Sequence, residues 1–386
     1  MNSKKLENYL TGPIWVVIGA LLLGIALAPR VSAASSLNEL IAAAKKEGSL
    51  SASVISSMHG KTTAKLIPAF KKRFGLDIEV TLTGVRSTSH YGRAAAATRA
   101  GAPPTYDAIE GSELSNVQLM GVGGTQKIDG WESLLKEIHP LVGSGKVRPE
   151  QISPEPFAGH GFKYLSRVKG IIYNPKLISK GELPKTHADL ANPIYKGRWT
   201  QPPWTSHWEV GTLVFKDMDK EKWLQIVRKA GKNAAAVQSA SKGVRRVILG
   251  EYAFGLANTY EALRAKAKDA KAPIDVSYFK DYNQTNSAFY VVRKGAPHPA
   301  AATLFIMWMG TPEAKAIWQA QTFATQFLWG ESELDRKVRR LIKESGARIV
   351  DYLESEKSRD FLKWYGTKEG RAYSKALGRA IRGRSK

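Results

Sequence analysis

The chain has 386 residues, 43% of them hydrophobic and 24% charged, which suits a globular protein of two ordinary domains and argues against disorder. It contains no cysteine, so disulfides, thiolate metal sites, cysteine nucleophiles and an acylated lipoprotein cysteine are excluded. With 58 basic against 34 acidic side chains the net charge is +24, which admits nucleic acid, an anionic membrane surface or an acidic ligand as partner.

Lys4 and Lys5 precede an apolar run over residues 14–27, and Val31-Ser-Ala33 then offers small residues for cleavage. That order predicts a secretory signal peptide over residues 1–33. At ~1.5 Å per residue the run would span roughly 21 Å as a helix, short of the ~30 Å hydrocarbon core that a permanent anchor must cross. A retained anchor is the rival reading. Export places the protein in the periplasm or outside the cell, where nucleic acid is not an expected partner.

Ser36-Leu-Asn-Glu39 is a capping box, and Leu37, Leu40, Ile41 and Ala44 form one helical face that Gly48 closes. A strand over 49–55 follows. Leu66, Ile67, Phe70 and Phe74 mark the next helix, in which Pro68 predicts a kink or a late start. Ile78, Val80 and Leu82 alternate as a strand should, residues 91–100 read as a helix, and Pro103-Pro104 breaks the chain before a strand at 106–109. This alternation predicts a parallel sheet with helices on both faces and ligands at the carboxyl ends of its strands.

A helix over 131–138, a Gly- and Pro-containing stretch over 140–156 and a long strand over 162–173 come next. Trp223, Ile226, Val227 and Ala230 share one face of a helix over 219–231. Strands at 234–238 and 252–257 alternate with helices at 242–249 and 259–268, and 275–279 leads to a strand at 288–292. A turn over 293–299 follows, and Pro299 can open a helix because the first helical residues need no intrahelical N–H bond. Ala302, Phe305, Ile306 and Met309 recur at helical spacing there, and Thr311-Pro312 caps another helix. Beyond Gly330 the chain reads as two or three basic amphipathic helices. Residues 368–386 carry seven basic side chains and one acid, a pattern expected of a solvated surface.

The strand, Lys294-Gly-Ala-Pro-His-Pro299 turn and helix over 287–308 resemble a passage in the solute-binding proteins of ATP-binding-cassette importers. The subfamily is the one that carries ferric iron and small organic solutes. Ile171-Ile-Tyr-Asn-Pro175, then Leu183-Pro-Lys-Thr186, then Asp189-Leu-Ala-Asn-Pro-Ile-Tyr-Lys-Gly-Arg198 resemble the same family in order, so the likeness covers roughly residues 37–325. It implies an α/β, two-lobe type 2 periplasmic-binding fold, each lobe a mixed sheet flanked by helices, with a hinge between lobes. Lobe 1 would hold 34–145, completed by 285–325, and lobe 2 would hold 146–284. Residues 326–386 would be a basic helical extension, and the crossings would fall near 140–156 and 280–287. The implied partners are a small-molecule or metal solute and the membrane permease of an importer. The protein is expected to be a monomer without a cofactor or catalytic residues, with Fe(III) as a candidate transported ligand.

Serine-hydrolase, zincin, phosphate-loop and dinucleotide signatures are absent, and no two histidines share metal-ligand spacing on one element. What remains is a set of strand-to-helix loops: 56–60, 84–89, 110–113, 204–207 and 258–260. Their hydroxyls and helix N-termini suit oxygen-rich or anionic ligands, and Arg86 adds a bidentate partner. The expected ligand-binding residues are Ser57, His59, Arg86, Ser87, Ser112, Glu113, Ser206, Thr259 and Tyr260. In ferric members of the family a histidine, a glutamate and two consecutive tyrosines hold the metal. Here His59, Glu113 and Tyr260 match that pattern, whereas Thr259 stands where the first tyrosine would be, with Tyr282 a candidate substitute.

Ordinary roles exist for each. His59 can cap a helix, Glu113 can favour a helix start, Tyr260 can be an interface aromatic, and Trp204 and Trp208 can pack in a core. His139, His160, His187 and His298 read as surface or turn residues. Two rival functions follow from the same residues: an envelope protein holding anionic polymer or lipid through its basic tail, and an enzyme on the two-lobe scaffold. If residues 1–33 are a cleaved signal peptide, intact-mass measurement of the protein from its native host will give an N-terminus close to Ala34. A Met1 chain retained in membranes would overturn that reading.

Overall fold

A computed structural model describes residues 36–85, 87–214 and 219–384; the signal-peptide expectation and Arg86 lie outside them. Ser36 caps α1 (Leu37–Glu47), its hydroxyl accepting from Glu39 N at 3.3 Å, and Gly48 closes the helix in the left-handed region at φ 71°. β1 (Ser49–Ile55) leads to α2 (Thr63–Phe74), which begins five residues before Pro68, so the proline sits within the helix and does not delay its start. β2 (Glu79–Val85), α3 (Ser87–Arg99), β3 (Ala108–Ser112), α4 (Glu113–Met120) and α5 (Trp131–Ile138) follow. Then come β4 (Gly161–Tyr173), β5 (Trp199–Gln201), α6 (Lys220–Asn233), β6 (Ala236–Val237), α7 (Ala240–Ile248), β7 (Phe254–Asn258), α8 (Tyr260–Lys268) and β8 (Asp275–Ser277). β9 (Asn283–Val292), α9 (Pro299–Trp308), α10 (Pro312–Thr322), α11 (Glu333–Ser345), β10 (Ile349–Val350), α12 (Glu356–Tyr365) and α13 (Lys368–Ile381) complete the chain.

The strands run in the order β2-β1-β3-β9-β4-β7-β5-β6, with β10 beside β9 and β8 beside β4. β1 is parallel to β2 and β3, and β5 is parallel to β6 and β7. The centre departs from the parallel expectation, because β9 is antiparallel to β3 and to β4, and β4 is antiparallel to β7. The sheet is therefore mixed. Its two central strands are covered on both faces: in β4 every residue but Arg167 is buried, and in β9 every residue but Asn286. Near-continuous burial is why neither shows the strict apolar–polar alternation of a half-exposed strand.

α9 is buried at all ten positions, where the sequence pattern suggested one apolar face. Alanines on its other face let α1 and the sheet approach closely. One core joins Leu40, Phe70, Tyr290, Phe305 and Trp308 around this helix. A second gathers Trp199, Trp208, Trp223, Phe254 and Tyr282.

The C-terminal residues belong to that second core. Tyr365, Tyr373, Leu377 and Ile381 are buried in it, and α13 lies so close along α6 that a side chain at Gly231 would meet Ala380 O. The basic side chains are thus a solvated surface, as expected, but they stand on a helix whose apolar side is inserted. Two histidines differ from expectation. His139 is fully buried, with Nε2 2.9 Å from Gly310 O, and burial lowers its pKa to about 4. His187 is buried between Phe279 and Tyr282, stacked at 3.9 Å on the latter, with Nδ1 3.0 Å from Asp281 Oδ1. Both sit where the chain is tightly packed, which sequence position alone does not reveal.

The turn that precedes α9 is held by one buried carboxylate. Asp107 accepts from Ser51 N at 2.8 Å and from His298 N at 3.0 Å, and lies 3.0 Å from His298 Nδ1. It thereby ties the edge of β1 to the start of the helix around which the first core forms. Asp107→Ala leaves two part-buried backbone donors without their carboxylate partner, so urea denaturation should show a loss of about 1–3 kcal/mol. A loss below about 0.5 kcal/mol would mean that the turn holds without it.

Candidate functional site

The carboxyl ends of β1, β2, β3 and β7, the N-terminus of α7, the loop at 204–206 and the middle of β4 surround a cavity of about 570 Å³. This is where an open α/β sheet places a ligand. The register explains the opening. β4 pairs with β9 as far as Val168↔Thr285 and then with β7 from Lys169↔Asn258. Where one strand changes partners the neighbours diverge and leave a crevice.

Of the residues expected from sequence, Ser57, Ser112, Glu113, Ser206 and Tyr260 line this cavity. His59 does not. It is exposed and lies over Gly84, where an added Cβ would stand 2.6 Å from His59 Cβ. Thr259 does not either, being buried, with its hydroxyl donating to Val168 O at 3.2 Å and accepting from Tyr278 OH at 3.3 Å. Arg86 lies outside the described residues, as does the side chain of Ser87 at the start of α3. Tyr282, the candidate substitute ligand, is buried and donates to His207 O at 3.0 Å.

The strongest charges in the cavity escaped the sequence reading because they come from within β4. Arg167 donates to Asn286 Oδ1 at 2.6 Å, shares a hydrogen bond with the Tyr260 hydroxyl, and has an Nε without a partner among the described residues. Lys169 is 4% exposed and donates to Ser206 O at 2.8 Å. Burial lowers its pKa to about 8, opposed by Glu209 and Glu113 nearby. A signal was present: Lys163, Arg167 and Lys169 interrupt a strand otherwise fit for the core, and such charges persist only where paired or facing a cavity.

Glu113, the first residue of α4, accepts from Ser287 N at 2.7 Å. Burial, then the neighbouring Asp351, raises its pKa to about 7. Glu209 accepts from Thr205 Oγ1 at 3.1 Å and Gln284 Nε2 at 3.3 Å. Among the described residues no group of three or more His, Cys, Asp or Glu is placed to hold a metal ion. Nor does the lining pair a nucleophile with a histidine base. Two cations, several hydroxyls and the N-termini of α4, α7 and α8 equip the cavity for holding a polar solute.

The description of the bacterial extracellular solute-binding protein family matches residues 65–327. The Fe(3+)-binding periplasmic protein of Serratia marcescens is 27% identical over 180 residues, a match covering 43% of this chain and about half, 52%, of that protein. Iron-bound HitA from Pseudomonas aeruginosa superposes with a TM-score of 0.63 at 18% identity, covering 86% of this chain and 99% of that one. The Trichodesmium protein FutA, in complex with iron and citrate, gives 0.62 at 19% identity, covering 86% and 99%. AgtB from A. tumefaciens R10, in complex with agropinic acid, gives 0.60 at 18% identity, covering 85% and 99%. At such identities the likeness is one of fold, the two-lobe type 2 periplasmic-binding architecture. Matched over two thirds of its length, the chain belongs to the bacterial extracellular solute-binding protein family.

Proposed function

We propose that this protein works outside the cytoplasmic membrane as the capture component of an ATP-binding-cassette importer. It takes a small oxyanion-bearing solute into the cavity and passes it to a membrane permease. The observation that carries this reading is the pair Arg167 and Lys169, set on one strand at the point where β4 changes partners and facing the cavity. Withdrawing cations from water is costly unless they are paired, and a bound oxyanion offsets that cost. Ser57, Ser112 and Ser206 add hydroxyls to the same lining.

The hinge lies along β4 and β9, between lobe 1 (34–145 with 285–325) and lobe 2 (146–284). A monomer closing over its solute is the action, with no bond made or broken. Cleavage after residue 33 would release the protein beyond the membrane.

A ferric–anion complex is the second reading. The Serratia, Pseudomonas and Trichodesmium relatives are named for iron, and Glu113 and Tyr260 are two oxygen donors in the lining. Against bare iron stand the position of His59 outside the lining and the commitment of Thr259 to Val168 and Tyr278.

Calorimetry with citrate, succinate, phosphate and ferric citrate separates the two. The metal-free anions should bind, and Arg167→Ala should cost about 2–5 kcal/mol, as expected on removing one partner of a buried charge pair. Tyr260→Phe should cost these anions only about 0.5–1.5 kcal/mol. Binding confined to ferric citrate, and abolished by Tyr260→Phe, would overturn the organic reading. The pH profile offers an independent check. With its pKa held down at about 8, Lys169 is charged at neutral pH and loses that charge as pH rises through about 8. Anion affinity should therefore fall above pH 8, approaching about tenfold per pH unit. A flat profile to about pH 9.5 would exclude Lys169 from the site.

A further inference from the structure

Three carboxylates line the cavity beside its two cations, so the lining is not a plain anion trap. Most of this charge is already committed. Glu113 accepts from Ser287 N at 2.7 Å, and Glu209 accepts from Thr205 and Gln284. Lys169 donates to Ser206 O and sits in the field of both those carboxylates. Glu261, at 5% exposure, is bonded by the Ser241 hydroxyl at 3.5 Å and by the Asn258 amide, and stands in the field of the Arg264 guanidinium and, after it, of Arg167. Arg167 is incompletely used, its Nε having no partner among the described residues.

The cation and the carboxylate best placed to take a solute are thus Arg167 and Glu261, which share Tyr260 as a neighbour in the lining. Each lies within the other's electrostatic reach. Asn258 supplies a third clue. With its amide N–H turned to Glu261, its Oδ1 is a buried acceptor without a partner among the described residues. A solute carrying an oxyanion alone would pair with Arg167 and set a second negative charge against Glu261. A solute carrying an ammonium as well would pair with both and bring a donor to Asn258. Buried polar groups left without partners are costly, so the second arrangement is the more stable.

We infer that the solute is a zwitterion of the amino-acid class, its carboxylate held by Arg167 and Tyr260 and its ammonium by Glu261 and Asn258. This rests on the solute-capture reading and narrows it. At about 570 Å³ the cavity is several times larger than such a head group, leaving Ser57, Trp204 and Tyr352 to face the remainder of the solute.

The test compares the proteinogenic amino acids with their desamino analogues, such as L-glutamate with glutarate, by thermal shift and calorimetry. At least one amino acid should bind at least about 30-fold more tightly than its analogue, the least expected for a buried charge pair. Glu261→Gln should abolish that preference, weakening the amino acid and, by removing the carboxylate that repels it, tightening the desamino acid, which also shows that the variant is folded. Arg167→Ala should weaken both compounds alike. Desamino acids binding as well as their amino counterparts, or a preference that survives Glu261→Gln, would overturn the zwitterion and leave the oxyanion reading standing. Failure of every compound in both sets would overturn the zwitterion, and failure of citrate, succinate and phosphate as well would overturn the oxyanion reading.

Discussion

The antiparallel pairing of β4 with β9 is the constraint on which the other elements depend. It runs from Gly161↔Val291 to Val168↔Thr285, with a register shift between Lys163 and Leu165. β3 joins the far side of β9 and β7 the far side of β4, so both flanks of the sheet hang on this one ladder. Its backbone groups are removed from water on both faces, so they must be satisfied by each other. Several polar side chains here are paired too. Ser166 and Ser287 share a hydrogen bond of 3.0 Å, and Thr285 donates to Asp351 at 3.1 Å. The pair cannot slip by one residue without reversing which side chains face the core and which the cavity.

That same ladder explains why two cations survive within a buried strand. Arg167 stands opposite Asn286 in the register and is bonded to it, and Lys169 begins the pairing with β7. Both occur where β4 passes from one partner to the next, the place where the sheet cannot close over them. Lys163, earlier on the strand, is paired with Asp351 at 3.8 Å and lies over the rings of Phe289 and Trp329 at 5.6 Å. One strand therefore carries a structural ion pair at one end and two site cations further on.

Much of the frame was legible in the sequence. The capping box at Ser36, the apolar faces of α2 and α6, the α5 span and the Pro299 helix start are local signals, and local signals survive folding. The mixed sheet was not readable from alternation alone, because strand direction is set by partners more than a hundred residues away. The site divided along the same line. Ser57, Ser112, Glu113, Ser206 and Tyr260 follow from the rule that loops at strand ends converge, and they do line the cavity. Arg167, Lys169, Glu209 and Glu261 depend on which face of an element meets which neighbour. Only the oddity of charge in a buried strand hinted at the first two.

The C-terminal residues show how much a compositional reading leaves out. Seven basic side chains in residues 368–386 suggest a solvated surface. Yet Tyr373, Leu377, Ala380 and Ile381 recur at helical spacing and are buried against α6, while Gln201 donates to Ile381 O at 3.0 Å from across the core. The family match ends at residue 327, so these helices lie beyond it. They nevertheless approach the cavity. Tyr352, which precedes α12, lines it directly, and the Tyr365 hydroxyl lies 3.2 Å from Thr205 Oγ1, itself bonded to Glu209. Burial of such aromatic surface contributes far more than surface charge repulsion removes. The basic residues are then what keeps the outer side of an inserted helix in water, and the segment is part of the frame around the cavity.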